Sequence, residues 1–287
     1  LYDRRNDKTE HPDRPWVKID QRDGRDTYVY YGNTDWYHYL FKDEHPNTSH
    51  SISLSGGNDR VDYLLSGSYY SEEGLFRQHP DKLQKITFRS KITFDINKWL
   101  KVSNNTSYYN YKYFYPGPSD VNTAFSWSTV HGLASFVPVN PDGTSVYNTS
   151  FSNYQIMDGL PTILNKDGHT NDDHTDNMST TVKGLEIKGN FTYMFNTTRY
   201  TNRQVNTEYS QYPGEINTLT SGKMEDKLYE KSMTHTYYQA NLYGTFERTF
   251  ARDHNFKAMV GFNWETKFLK DVAATGYNLL SETLNDL

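Results

Sequence analysis

Gln84–Asp95 reads QKITFRSKITFD. Its even positions are Ile86, Phe88, Ser90, Ile92 and Phe94, and its odd positions are Lys85, Thr87, Arg89, Lys91, Thr93 and Asp95. A period of two with one apolar and one charged face marks a β-strand, because successive side chains leave opposite sides of a pleated backbone. The alternation recurs in Leu185–Asn196, in Tyr238–Glu247 and in Asn255–Phe268, and more weakly in Ser49–Gly56 and Arg60–Tyr70. These runs are about 10–15 residues long, against a usual strand of about 5–6. A membrane-spanning strand needs about 9–11. No amphipathic helix of comparable strength is visible, so the fold is expected to be all-β.

Composition agrees. Of 287 residues, 25 are Tyr, 15 Phe and 5 Trp, so aromatics make up 16% of the chain while all hydrophobic types together reach 35%. That is too little aliphatic material for an ordinary two-domain core and too much aromatic for disorder. The mean hydropathy of −0.88 and the lack of an apolar run near ~18 residues exclude a transmembrane helix. They leave a membrane barrel open, since there only alternate residues face lipid. A net charge of −5 with no basic block argues against nucleic acid. With no cysteine, disulfides, thiolate metal sites and a cysteine nucleophile are excluded. The opening LYDRRNDKTE has no charged-then-apolar leader, so the chain is either not exported, already processed, or part of something longer.

Connections alternate in length. Gly57–Asp59, Ile96–Lys98, Lys183-Gly184 and Ala251–His254 are short, whereas Ser71–Leu83, Lys112 to about Asn177 and Thr197–Ser232 are long; a short strand is expected near Met178–Val182. Tight turns on one side and extended loops on the other characterise outer-membrane barrels.

Several stretches carry a resemblance. Thr34-Asp35-Trp36 precedes HSISLSGGNDRVDYLLSGSYYSEEGLF (His50–Phe76) and KLQKITFRSKITFDINKWLKVSNNTSYY (Lys82–Tyr109), and YYQANLYGTFERTFARDHNFKAMVGFNWE (Tyr237–Glu265) follows later. Their order and spacing resemble the first barrel strands of the SusC/RagA family of TonB-linked outer-membrane importers. The resemblance implies an antiparallel transmembrane β-barrel segment, an incomplete wall of about eight long strands. Residues 1–46 then correspond to the plug-to-barrel junction and first strand region, and residues 47–287 to the partial barrel. It also implies import of a glycan or peptide across the bacterial outer membrane. A SusD-like surface lipoprotein would capture substrate over the long loops, and TonB would move a plug through a region outside this chain. No cofactor is implied.

Side-chain clusters that could carry chemistry have plainer readings. In Asp167–Asp176, DGHTNDDHTD, the carboxylates of Asp172, Asp173 and Asp176 could hold Ca²⁺ and His169 or His174 a transition metal. The spacing fits neither an EF-hand nor HExxH, so the stretch reads as a solvated loop tip and no metal is assigned. Glu72-Glu73 and Asp172-Asp173 fail as glycosidase pairs, because two such carboxyls must flank one bond at about 5–9 Å. GxSxG, GxGxxG and GxxxxGK[ST] are missing from the sequence, so no hydrolase or nucleotide fingerprint is present and no enzyme activity is expected. Tyr108, Trp99 and Trp264 read as interfacial girdle residues. Phe114 and Tyr115 are equally compatible with the girdle and with a stacking platform, and Phe125 and Trp127 with loop packing. The row Lys85, Arg89, Lys91 and Asp95 either selects charged substrate or pairs with neighbouring charges. Phe114, Tyr115, Trp127, Asp172 and His174, on the expected outer loops, are the candidate substrate or partner contacts.

Two architectures compete. A soluble all-β carbohydrate-binding module would bury the apolar strand faces against a second sheet. A barrel wall would leave Ile86, Phe88, Ile92, Phe94, Leu185, Ile187, Phe191, Phe256, Val260 and Phe262 on an outward face, with Thr87, Arg89, Lys91, Lys188 and Lys257 on the other.

Overall fold

The computed structural model describes residues 8–97, 100–115, 132–146, 169–175, 187–219, 225–250 and 254–280. Eight strands form one antiparallel sheet: β3 (Asn47–Asn58), β4 (Val61–Glu73), β5 (Lys82–Asn97), β6 (Leu100–Tyr115), β7 (His169–Thr175), β8 (Ile187–Gln204), β11 (Lys227–Phe250) and β12 (His254–Tyr277). Their spatial order is β12-β11-β8-β7-β6-β5-β4-β3. Every strand therefore pairs with the next wall strand in the chain. β3 and β12 are the two edges, with no ladder between them.

Residues directly opposite in an antiparallel ladder share a face, so the register can be followed across the wall. Ile52 faces Gly67, which faces Phe88, which faces Tyr108. Further along, Phe191 faces Ala240, which faces Trp264. Through β7 the same face continues from Asn110 to Thr175 to Thr197. It thus holds Ile86, Phe88, Ile92, Phe94, Ile187, Phe191, Phe256, Val260 and Phe262 together, and Thr87, Arg89, Lys91, Lys188 and Lys257 fall on the other. Leu185 lies outside the described residues.

That apolar face is bare. Phe88 is 45% exposed and Val260 79%, and Ile86, Phe94, Phe191, Phe256 and Phe262 are exposed as well. A sandwich would cover these rings, so the carbohydrate-binding-module alternative fails on its own discriminator. Among the described residues no helix is long and apolar enough to cross a membrane; the long chain elements are strands.

The strands outrun the alternation that announced them. β6 continues to Tyr115 and β8 to Gln204, and β11 starts at Lys227, inside stretches expected to be loop. Asp167–Asp176 was expected as a loop tip, yet His169–Thr175 is β7, paired with both β6 and β8. The reason is chemical: NDDHT and TTRYTNRQ carry polar side chains on both faces, so the period of two vanishes from the hydropathy while the backbone ladder goes on. The strand expected near Met178–Val182 lies outside the described residues.

Ahead of the wall lie a hairpin and a helix. β1 (Val17–Arg22) and β2 (Arg25–Tyr30) pair antiparallel. Their turn is Asp23-Gly24, with φ of 52° and 77°, the two positive values that a tight two-residue hairpin demands and Asp-Gly supplies. The five-residue helix α1, Trp36–Leu40, is capped by Asp35, whose side chain accepts from the His38 amide. Arg77 donates to the carbonyls of His38 (2.9 Å) and Phe41 (3.0 Å) at its other end. Five residues are too few for a helical period to show in sequence. A second small hairpin, β9 (Thr207–Tyr209) with β10 (Asn217–Leu219), sits between β8 and β11.

Candidate functional site

Antiparallel pairing sorts the strand ends into two rims. Asn58 meets Val61, Asn97 meets Leu100, and Phe250 meets His254 at one rim, where the short turns were expected. Asn58 Oδ1 accepts from the amides of Arg60 (2.9 Å) and Val61 (3.0 Å), so its side chain closes that turn as the backbone would. The long connections β4–β5, β6–β7 and β8–β11 all leave from the opposite rim.

At this long-connection rim the core is built. Tyr28, Tyr30, Trp36, Leu40, Phe41 and Phe76 pack with Tyr115, Phe136, Val137 and Val146. Residues 132–146 act as a strap across it. Trp36 Nε1 donates to the Leu133 carbonyl (2.9 Å) and Thr34 Oγ1 to that of Phe136 (2.5 Å). Backbone amides of Gly32 and Thr34 reach the carbonyls of Ser135 and Ala134, both at 2.8 Å. Thr34-Asp35-Trp36, quoted above for its resemblance, is thus a cap and two strap anchors. The strap turns at Asn140-Pro141-Asp142-Gly143, where Gly143 has φ of 87°. Tyr30 Oη donates to Asn140 (2.8 Å) and Tyr28 Oη to Asp142 (2.7 Å). On its far side the strap accepts the Ser210 amide at the Ser145 carbonyl (3.1 Å). Arg25 completes the link, lying 3.4 Å over the Tyr212 ring and pairing with Glu215.

Burial sets the protonation of this rim. It pushes the Tyr28 hydroxyl up to about 12, helped by its bond to Asp142, and pushes Tyr30 higher still. Burial alone would raise the Asp142 carboxyl, but bonds from the Thr144 and Tyr28 hydroxyls and the Thr144 amide bring it below its ordinary value. Asp81, in the β4–β5 connection, is raised by burial.

The polar face of the wall is knitted by side chains. Ser68 and Thr87 bond at 2.6 Å, and Thr93 and Ser103 at 3.1 Å. Asn263, Asn241 and Asn190 form a ladder over three strands. In the charged row, Lys85 lies over the rings of Tyr70 (5.6 Å) and Tyr111 (5.8 Å). Arg89 donates to Asn105 (3.4 Å), and Asp95 pairs with Lys101 at 3.1 Å. Neighbours within the wall therefore take up three of the four members of that row.

The expected contacts do not gather in one place. Tyr115 is 2% exposed, stacked on Tyr113 with ring centroids 6.5 Å apart and 6.0 Å from the Phe76 ring; it is rim core, a correction to its expected place on an outer loop. Phe114 is half-buried at the end of β6, opposite Lys82 and Asn171. Asp172 and Asp173 lie in β7, opposite Tyr200 and Arg199 of β8, and His174 lies opposite Tyr111 of β6. Trp127, Asp176, Phe125 and Trp99 lie outside the described residues. Tyr108 and Trp264 are exposed on the apolar face, but in the middle of β6 and β12 and not at a rim, with Tyr108 level with Phe88. Among the described residues no cluster of three or more His, Asp or Glu could hold a metal. The sequence reading missed the strap, although its Pro-Asp-Gly turn between valines was there to be used.

No protein-family model matches the chain. Over 73 residues, a quarter of its length, it is 30% identical to TonB-dependent receptor P3 of Formosa agariphila, of which this stretch is 7%. Its fold matches structures of the RagAB peptide importer: 18% identity, TM-score 0.58 and 89% of this chain for the open-open state, and 15%, 0.56 and 88% for the closed-closed state. The chain spans about 28% of either matched chain. With its open edges, bare apolar face and knitted polar face, the chain is similar in fold to about 28% of the matched chain of the RagAB peptide importer.

Proposed function

We propose that the chain forms part of the wall of an outer-membrane, TonB-dependent importer of a glycan or peptide, and that residues up to 46 join that wall to a plug. The observation that carries this reading is the apolar face, held in register across β3, β4 and β5 and again across β8, β11 and β12, and bare of protein cover. Hydrocarbon is the medium in which such a face is stable, and a membrane sheet must in turn close its edges. The opposite, hydrogen-bonded polar face would line the conduit. The long-connection rim would face outward, where a SusD-like lipoprotein delivers substrate, and TonB would act from the other side through parts beyond this chain. Phe114, Trp127, Asp172 and His174 are proposed as rim contacts to substrate or partner. The chemistry is binding and passage, with no bond cleaved.

The test is made in the full-length protein. Residues 147–168 are replaced by a Gly/Ser linker of equal length and Trp127→Ala is added, which spares Tyr115 and β7 as wall elements. Barrel assembly, read by heat-modifiable migration, is expected to persist while lipoprotein docking or uptake falls at least tenfold. Unchanged docking and uptake would make these loop residues bystanders and remove them as contacts.

A further inference from the structure

A cleft of about 270 Å³ opens on the polar face at the long-connection rim. Tyr200, Asn202 and Gln204 of β8 line one side; Lys227 and Tyr229 of β11, with Thr275 and Tyr277 of β12, line the other. All seven share a face by register, since Lys227 stands opposite both Gln204 and Tyr277, and Tyr229 opposite both Asn202 and Thr275. Nothing in the loop contacts proposed above includes them.

Three features of the lining define a ligand. First, Gln204 is 3% exposed, yet its Oε1 is buried and accepts no hydrogen bond among the described residues. A buried acceptor left unpaired costs about 1–3 kcal/mol, so the site is short of one donor. Second, the Lys227 ammonium has no acidic partner among the described residues, whereas Lys231, four positions on along β11, is paired with Asp271 at 3.5 Å. The cleft thus presents a cation that the wall does not neutralise. Third, the rest of the lining is tyrosine, amide and hydroxyl. Tyr200 and Tyr229 meet edge-on at 5.8 Å, and no aliphatic side chain, Phe or Trp takes part. An apolar peptide side chain would find no partner there. A sugar ring would find a ring face for its C–H groups and acceptors for its hydroxyls. The volume lies below the ~300 Å³ at which pockets begin to enclose a drug-sized molecule, so the cleft takes one unit of a longer chain.

We infer that this cleft is a binding subsite for an acidic sugar unit. A hydroxyl of the sugar donates to Gln204 Oε1, its carboxylate or sulfate meets Lys227, and its ring lies against Tyr229. The inference rests on the import reading and narrows its substrate from glycan or peptide to an anionic glycan. Binding to the purified protein needs no energy input, so it can be read separately from uptake.

The experiment uses the full-length transporter in detergent and calorimetric titration with three probes: trigalacturonate, maltotriose and triglutamate. Trigalacturonate is expected to bind, at least tenfold more tightly than maltotriose. Lys227→Gln should weaken trigalacturonate at least tenfold while leaving maltotriose unchanged. Gln204→Leu removes the orphan acceptor; it should also weaken trigalacturonate at least tenfold while leaving the melting temperature unchanged or higher, which a purely structural role would not give. Equal binding of trigalacturonate and maltotriose, indifference of trigalacturonate to both substitutions, preferential binding of triglutamate lost in Lys227→Gln, or no binding of trigalacturonate would each overturn the inference. None of these outcomes touches the uptake result above, which alone decides the import reading.

Discussion

Phe88 and Thr87 are neighbours in sequence and face different worlds. Phe88 is bare on the apolar face beside Tyr108 and Gly67, and Thr87 is bonded to Ser68 on the polar one. An arginine on the lipid side near the midplane costs about 2–4 kcal/mol, whereas losing the Thr87 hydroxyl bond costs about 1 kcal/mol. In the full-length protein, Phe88→Arg should therefore lower the amount of assembled barrel in the outer membrane, and Thr87→Arg should leave it near wild type. Equal yields would mean that the two faces have been assigned to the wrong media. Tyr28 gives a second test at this scale. Its hydroxyl is raised from 10.0 to about 12, so the folded rim favours the protonated form. That contribution is fully present below pH 10 and is lost as pH rises toward about 12. Asp142 acts in the other direction: its carboxyl is lowered from 3.8, so its contribution is present above that pH and is lost as pH falls through the lowered value. A difference titration of wild type against Tyr28→Phe should show one tyrosine ionising near pH 12; a difference phase near pH 10 would show that Tyr28 is solvated.

At the scale of elements, what could be read from sequence followed one rule. β5, β8, β11 and β12 announced themselves through the stretches where one face is apolar and the other polar. Beyond those stretches the same strands continue with polar residues on both sides, as in Thr197–Gln204, and the signal disappears although the ladder does not. β7, with no apolar residue in HTNDDHT, carries no such signal at any point. The rim core was illegible for a different reason. Its members come from β2, α1, the β4–β5 connection, β6 and the strap, and no local pattern foretells which of five separated stretches meet. Of the candidate contacts, Tyr115 illustrates the difficulty: an aromatic after a strand reads alike as ligand platform and as core, and only tertiary packing separates them. The β4–β5 connection supplies a prediction here. The Asp81 carboxyl occupies the space that a Cβ on Gly74 would need. Gly74→Ala should destabilise the assembled barrel and weaken the docking of Phe76, and Asp81→Ser should restore most of the loss. Failure of that rescue would place the glycine's role in backbone freedom alone.

For the whole molecule, the two open edges decide behaviour. The strand order was legible, because short connections force neighbours to pair and the long ones were placed between the right strands. The open wall was expected as well, and β3 and β12 are its two unpaired edges. In hydrocarbon each unpaired N–H or C=O costs several kcal/mol, and β12 alone is 24 residues long. The isolated chain, refolded with lipid vesicles, should stay fully digestible by added protease, while the full-length protein under the same conditions should acquire a protected barrel. Protection of the isolated chain would require edge-to-edge pairing between copies.

The strap has a consequence in time. Hairpins β3–β4 and β5–β6 close over turns of a few residues and can form as soon as both arms exist. The rim core waits for partners far apart in the chain: Tyr30 with Asn140, Asn140 with Ser210, and Arg25 with Glu215. Loop closure over such separations is slow compared with hairpin formation. Assembly is then ordered, wall first and latch last, so the N-terminal hairpin is held only once the chain has been read past Glu215. A barrel caught before that moment would have its wall complete and its rim unlatched. Trp36→Ala should hold the protein in that condition, with amide exchange rapid in β1 and β2 and still slow in β5.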